Sequence, residues 1–288
     1  MRAALVNTRG NVLLRRSAPT PRYGHVPDAL LDLISSVAAE DAYGAASHAV
    51  VALPGAVDYE EGRLLWAPNL PEKWAERLSR DTLSSHLGLQ VYVANDADMA
   101  AVGEAAFGAG AGARDVAYLT ISTGIGAGVV HSGRLSRGRR SLAEIGHTII
   151  DVEAWRDRRP ATLEELGSGS GLARLAHAQG MGELDARAVG AAASEGNATA
   201  IAIWKGAIAA CAAGIENLVM SFYPSVIVIG GGMGCRDDFF HPLRDLVLDR
   251  AEHHPVDLVL VRSALADDAG LVGAAGWERA FGGPEAGH

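Results

Sequence analysis

Two short stretches place acidic side chains where a hydroxyl substrate could meet them. In Val93-Ala94-Asn95-Asp96-Ala97 a carboxylate falls at the carboxyl end of an apolar strand and at the start of a helical segment. An acid there can accept a proton from a hydroxyl nucleophile, or it can serve as an ordinary helix N-cap. In Glu144-Ile145-Gly146-His147 a glutamate and a histidine stand three apart with a glycine between them, so both can face one pocket. Carboxylate and imidazole suit sugar hydroxyls as acceptor and donor. Histidine is also the commonest metal ligand, but no second ligand of suitable spacing lies near, which discounts a metal. Asp58, Asp98 and the Asp267-Asp268 pair read as surface or capping carboxylates.

Two glycine-rich turns could hold phosphate. Ser122-Thr123-Gly124-Ile125-Gly126-Ala127-Gly128 sits in the turn of a hairpin. Its glycines let backbone N–H groups approach an anion, and the Thr123 hydroxyl adds a donor. The pattern is not a P-loop, which needs Gly-Lys-Ser/Thr opening a helix, and a plain tight hairpin explains it equally well. Ile229-Gly230-Gly231-Gly232-Met233 follows a buried strand. In α/β sheets ligands lie beyond the carboxyl ends of strands, so these glycines could border a nucleotide or form a helix-entry loop.

The elements needed to position these groups alternate along the chain. A β-hairpin is expected over 1–16, helices over 28–45, 76–87 and 97–107, and buried strands over 48–53, 91–94, 116–122, 226–229 and 258–261. Residues 129–130 form the return strand of the second hairpin. Mostly helical stretches follow at 163–179 and 186–221, with a closing helix at 270–281. Strands alternating with helices predict parallel-rich sheets covered by helices. The small residues of 97–107 predict a helix packed closely on a neighbour.

The chain has 288 residues, 49% hydrophobic and 20% charged, enough for a sizeable core and two lobes. A formal net charge of −9 argues against a nucleic-acid partner, which wants a basic face. Two cysteines, Cys211 and Cys235, make neither a metal-ligand spacing nor a disulfide framework and fit a reducing cytoplasm. Residues 1–16 lack the apolar core of a signal peptide, and no apolar stretch is expected to near the roughly 20 residues of a membrane span.

In order and spacing these pieces resemble the ROK family of repressors, open reading frames and sugar kinases, over residues 1–281 and most closely over 93–151. ANDADMAAVGEAAFGAG resembles the family's catalytic segment, and the stretch from Tyr118 to Asp151 its phosphate loop followed by the Glu-x-Gly-His sugar segment. Ala67-Pro68-Asn69-Leu70-Pro71 resembles its Ala-Pro-Asn-Leu turn. Residues 226–233 resemble its adenosine-side glycine strand, and 268–275 its closing helix.

The resemblance implies a two-lobed α/β fold of the actin-like, ribonuclease H-like ATPase type. A smaller lobe would take 1–97 with 271–288, and a larger one 98–270. It implies phosphoryl transfer from ATP with magnesium to a hexose such as glucose, in a soluble homodimer or homotetramer. Asp96 would be the general base. Gly55, Asn69, Asn95, Glu144, His147 and Glu164 would line the sugar pocket. Thr123, Gly124 and Gly126 would hold phosphates, and Gly231 and Gly232 would border the nucleotide. An amino sugar or a sugar-like cyclitol is an alternative substrate, polyphosphate an alternative donor, and non-catalytic sugar binding an alternative function.

Two departures stand out. Many members carry a cysteine-rich zinc loop after the Gly-His pair, whereas 151–163 contains no cysteine. No structural zinc is therefore expected, His147 would keep only the sugar role, and this pocket wall would be held by ordinary packing. Family kinases also begin with a strand ending in Asp-x-Gly-Gly-Thr just before the strand matching 3–6, and its aspartate helps to hold magnesium. Here Met1 falls just after that point. A start placed downstream of the true one, a truncation or a retired kinase would each account for it. Loss of that mid-sheet strand would leave ladder groups unpaired on both neighbours.

Overall fold

The computed structural model describes residues 1–21, 26–40, 44, 46–67, 77–141, 144–251 and 257–282. Its strands are β1 (Arg2–Val6), β2 (Val12–Ser17), β3 (His48–Leu53), β4 (Ala56–Asp58), β5 (Arg63–Trp66), β6 (Gln90–Asn95), β7 (Val116–Ile121), β8 (Ile125–His131), β9 (Arg134–Leu135), β10 (Val226–Gly230) and β11 (Val259–Arg262). Its helices are α1 (Val26–Ala38), α2 (Arg80–Leu87), α3 (Asp96–Phe107), α4 (Val152–Arg156), α5 (Leu163–Gly167), α6 (Gly169–Ala178), α7 (Ala186–Ser194), α8 (Ala198–Phe222), α9 (Asp237–Ala251), α10 (Ala269–Gly273) and α11 (Trp277–Phe281).

The largest sheet runs β11-β10-β7-β8-β9. β10 is parallel to both β7 and β11, while β8 and β9 return antiparallel. Alternate residues of β7 point to opposite faces, as a strand's period of two requires. Ala117, Leu119 and Ile121 join the core under helices α5 to α9, and Val116 and Tyr118 join the core under α3 and α11. β10 divides in the same way, Ile227 and Ile229 to one face and Val228 to the other. Burial on both faces explains why these strands read as unbroken apolar runs. Each such side chain contributes about 1.5–3 kcal/mol on leaving water.

The remaining strands form three two-stranded sheets: antiparallel β1-β2, parallel β3-β6 and antiparallel β4-β5. Among the described residues β1 pairs with β2 and β3 with β6, and residues of both β1 and β3 line the same cleft. A third core, with Val51, Leu53, Leu64, Leu83, Val91 and Val93, packs β3, β5 and β6 against α1 and α2.

The neighbours of the small-residue helix are now visible. α3 lies on β8 on one side and on α10 on the other. A Cβ on Gly128 of β8 would stand 2.7 Å from Ala101 Cβ and 2.8 Å from the Asp98 Cα, so only glycine lets strand and helix meet there. A Cβ on Gly103 would meet the Ala269 carbonyl, and one on Gly273 the Met99 carbonyl.

Several expected boundaries move. α1 ends at Ala38 rather than reaching residue 45, and α2 begins at Arg80, where Ser79 caps it, rather than at 76. The 163–179 stretch is two helices, broken where Ser168 ends α5 and caps α6. The 186–221 stretch likewise breaks before Asn197, the cap of α8. The closing helix is α10, a 3₁₀ turn at Ala274–Gly276 and α11. The β4-β5 hairpin, β9, α4 and α9 were not expected, the last because it opens Asp-Asp and contains Pro242. α8 also corrects the expectation about apolar length. Its 25 residues are long and apolar enough to cross a membrane, and much of its length is buried within the protein as a core helix.

Candidate active site

The turn from β6 into α3 separates two roles that the sequence left open. Asn95, not Asp96, caps α3: its Oδ1 accepts the backbone N–H of Ala97 at 2.9 Å and of Asp98 at 3.1 Å. Asn95 Nδ2 donates to the Gly55 carbonyl at 3.0 Å. The asparagine therefore spends most of its amide on the fold. Asp96 accepts the backbone N–H of its neighbour Ala97 at 2.9 Å and opens onto a cleft. Desolvation by the protein walls around it raises the carboxyl above the usual carboxylate range, although its oxygens open to the cleft. The Ala97 N–H opposes that rise, and the charge of Glu144 adds to it. An acid raised in this way is better matched to accepting a proton.

The cleft measures about 1510 Å³ and gathers the candidates. Asp96, Gly55, Asn95, Glu144, His147, Glu164, Thr123, Gly124, Gly126, Gly231 and Gly232 all line it. Asn69, with most of its Ala-Pro-Asn-Leu turn, lies outside the described residues.

Local structure explains how each arrives. Glu144 and His147 bracket a 3₁₀ turn at Ile145–His147 and are both exposed to the cleft. Gly146 lets that turn rest on β8, since a Cβ there would collide with the Ile125 carbonyl. Glu164 sits in the first turn of α5, and its Oε2 accepts the Ile125 N–H at 2.8 Å. The same carboxylate stands where a Cβ on Gly124 would lie, at 2.6 Å, so it supports the glycine turn as well as facing the cleft.

The turn itself is Ser122-Thr123-Gly124, with Thr123 exposed. Gly126 belongs to β8 rather than to the turn, and a Cβ there would press on Ala97 at 3.2 Å. α6 points its first N–H groups at this turn: Gly169 donates to Ser122 O at 2.7 Å and Ser170 to Thr123 O at 3.0 Å. Gly231 has φ +83°, and a Cβ on it would strike the Ile121 backbone, whereas Gly232 faces open space. The pocket wall at 148–165 is held by an Ile149–Thr162 bridge, an Asp151 cap on α4 and a Thr162–Glu165 capping box.

Asp58 and Asp98 are 1% and 0% exposed, so neither is a surface carboxylate, but Asp58 does cap: its Oδ1 accepts the backbone N–H groups of Glu60 at 3.1 Å and Glu61 at 3.0 Å. Asp58 accepts from Arg139 Nε at 2.7 Å, and Asp98 accepts the Tyr59 hydroxyl at 2.6 Å. These side-chain partners lie far along the chain, where local spacing carries no trace of them. Asp267 is at the surface as expected, and Asp268 pairs with Arg15 at 2.7 Å. Arg140 and Arg174 also line the cleft and were missed, as neither belongs to a recognisable motif.

The chain resembles known proteins along nearly its whole length. The ROK family model matches residues 1–280. The bifunctional enzyme NanE/NanK of Brucella melitensis is 37% identical over 278 residues, covering 95% of this chain and 51% of that protein. The chain thus spans about half the length of that relative and of its Brucella suis counterpart, at 51% and 50%. A glucokinase of Thermotoga maritima is 32% identical over 241 residues, covering 77% of this chain and 76% of that one. Among solved structures, a ROK family glucokinase from Streptomyces griseus in complex with glucose and AMPPNP superposes with a TM-score of 0.72 at 28% identity, covering 95% of this chain and 94% of that one.

Proposed function

The chain belongs to the ROK family, and from that premise we propose that it transfers the γ-phosphoryl group of ATP to a hydroxyl of a hexose or hexose-like sugar. The observation that carries the reading is Asp96: a carboxylate not used as the cap of α3, its proton affinity raised, in the cleft shared with Glu144, His147 and two glycine turns. The Streptomyces griseus relative, with glucose and AMPPNP bound, supports both substrate classes.

In this reading Asp96 takes the proton of the attacking hydroxyl as the oxygen bonds to phosphorus and the ADP oxygen leaves. Glu144, His147 and Glu164 orient the other hydroxyls, and Gly55 and Asn95 shape the floor beneath them. Asn69 remains a further candidate for the pocket. The exposed Thr123 hydroxyl and the backbone of Gly124 and Gly126 face the phosphates, while Gly231 and Gly232 leave room for the nucleotide. Positioning and charge neutralisation are the main demands of such a transfer. Magnesium would supply part of that neutralisation, entering with the triphosphate. The fit on this chain is a glycine cradle for phosphate oxygens; among the described residues no three His, Cys, Asp or Glu side chains could together hold a metal ion.

We propose the lobes as 1–97 with 271–288 and 98–270, closing over both substrates so that water is excluded from the phosphate. Self-association into a dimer or tetramer and a cytoplasmic location complete the proposal, the latter consistent with two unpaired cysteines. The test is ADP release from ATP and magnesium against a panel of hexoses, amino sugars and cyclitols. Turnover that depends on one sugar names the substrate. Sugar binding without turnover would replace transfer by sensing.

A further inference from the structure

Asp98 is fully buried beside the cleft, yet it does not line it. It stands on α3 two residues after Asp96, and its two oxygens reach different parts of the chain. Oδ2 accepts the Tyr59 hydroxyl at 2.6 Å, from the turn after β4. Oδ1 accepts the Ser141 hydroxyl at 3.1 Å, from the segment that leads into Glu144. The Tyr59 oxygen in turn accepts the Asn95 backbone N–H at 3.2 Å, at the cap of the same helix.

Further ties join the same three elements. The Tyr59 N–H donates to the Arg139 carbonyl at 2.9 Å. The Arg139 guanidinium spans Asp58 and Glu61, at 2.7 Å to each. Arg137 lies over the Tyr59 ring, 5.4 Å from its centre. Residues 137–141 are therefore fastened to the β4-β5 turn along their length, but to α3 through the carboxylate of Asp98. A buried carboxylate that accepts two hydroxyls fixes both donors, because an unmade bond in that setting is costly.

We propose that Asp98 is a positioning residue: it holds the segment bearing Glu144 against the helix that presents Asp96, and so sets the distance between the sugar-orienting acid and the base. The inference rests on the sugar-kinase reading of the cleft. It accounts for an acid that the reaction itself does not use and for a tyrosine and a serine that no motif picks out.

Three variants test it: Asp98→Ala, Ser141→Ala and the conservative Asp98→Asn. Asp98→Ala is expected to raise the sugar KM tenfold or more and to lower kcat, with the ATP KM within about twofold of wild type. Asp98→Asn, which can still accept the Tyr59 hydroxyl, should recover most of the loss. Ser141→Ala cuts the tie from the loop side without touching α3, and should raise the sugar KM in the same sense. It decides the matter should Asp98→Ala fail to fold. Amide hydrogen exchange over 137–147 reads the tie without turnover and should quicken in both alanine variants. Faster exchange with no kinase activity in any form, wild type included, would leave the tie standing and retire the kinase reading. Wild-type exchange in Ser141→Ala, or an equal rise in the sugar and ATP KM values, would overturn the proposal.

Discussion

Asp96 escapes the usual duty of an acid at a helix start because Asn95 performs it. That division gives two predictions. Asp96→Ala should lower kcat by about 10²–10⁴-fold, the range for loss of a positioned base, while sugar affinity stays within a few-fold, read by calorimetric titration. The acidic limb of kcat/KM should lie above the ordinary aspartate range, since desolvation by the surrounding protein and then the charge of Glu144 raise this carboxyl, and Glu144→Gln should move the limb to lower pH. Asp98 offers a separate test through stability. Burial pushes its carboxyl from 3.8 up to about 7, with the Tyr59 and Ser141 hydroxyls opposing and the charges of Glu144 and Asp96 assisting. Arg137 is the cation acting on Tyr59. A folded-state value above the unfolded one means that the stability held at low pH is lost as pH rises from about 4 to 7. The melting temperature of Asp98→Asn, measured against wild type, should therefore gain between pH 5 and pH 8. A difference that is flat with pH would contradict the assignment.

Elements meet at this site through glycine. Gly128 lets β8 touch α3 beneath Asp98, and Gly103 and Gly273 bring α3 against α10. Gly128→Ala should cost about 1–3 kcal/mol of stability, the usual cost of overpacking, and roughly 2–4 °C of melting temperature per kcal/mol. Gly206, inside α8 with open space where a Cβ would stand, is the opposite case. Alanine there should stabilise by about 0.5–1 kcal/mol. Calorimetry on the two variants reads both signs. Elements were legible where one physical cause dominated. β10 shows as an apolar run because both its faces are buried, and the 116–130 hairpin shows through its glycine turn. The ends of α1 and α2, and the breaks at Ser168 and Asn197, were not legible, since caps compete with continued helix over a residue or two. α9 was hidden by its acidic start and Pro242. The burial of Asp58 and Asp98 was not legible because their side-chain partners, Arg139 and Tyr59, are 81 and 39 residues away, whereas the capping role of Asp58 was. Asp96 and the glycine turns were legible as candidates because each sits at the end of a strand, and the Glu144-His147 pair was legible through its Glu-x-Gly-His spacing.

At the scale of the molecule, one cleft collects an acid from α3, a glutamate and a histidine from a 3₁₀ turn, a glutamate from α5 and glycines from two strand ends. Those groups come from positions 55 to 232, and the two-sided core of the five-stranded sheet keeps them in register. If the lobes close on their substrates, sugar and nucleotide together should slow amide exchange at the cleft rim more than either does alone. The central claim is that Asp96 performs transfer while other residues hold the sugar. The most direct measurement compares the wild-type chain with Asp96→Ala for both sugar-dependent ADP release and sugar binding, using the sugar that the panel selects. The account predicts turnover in the wild type, its loss in the variant, and the same sugar affinity in both. Full turnover in Asp96→Ala, or loss of sugar binding together with activity, would contradict it.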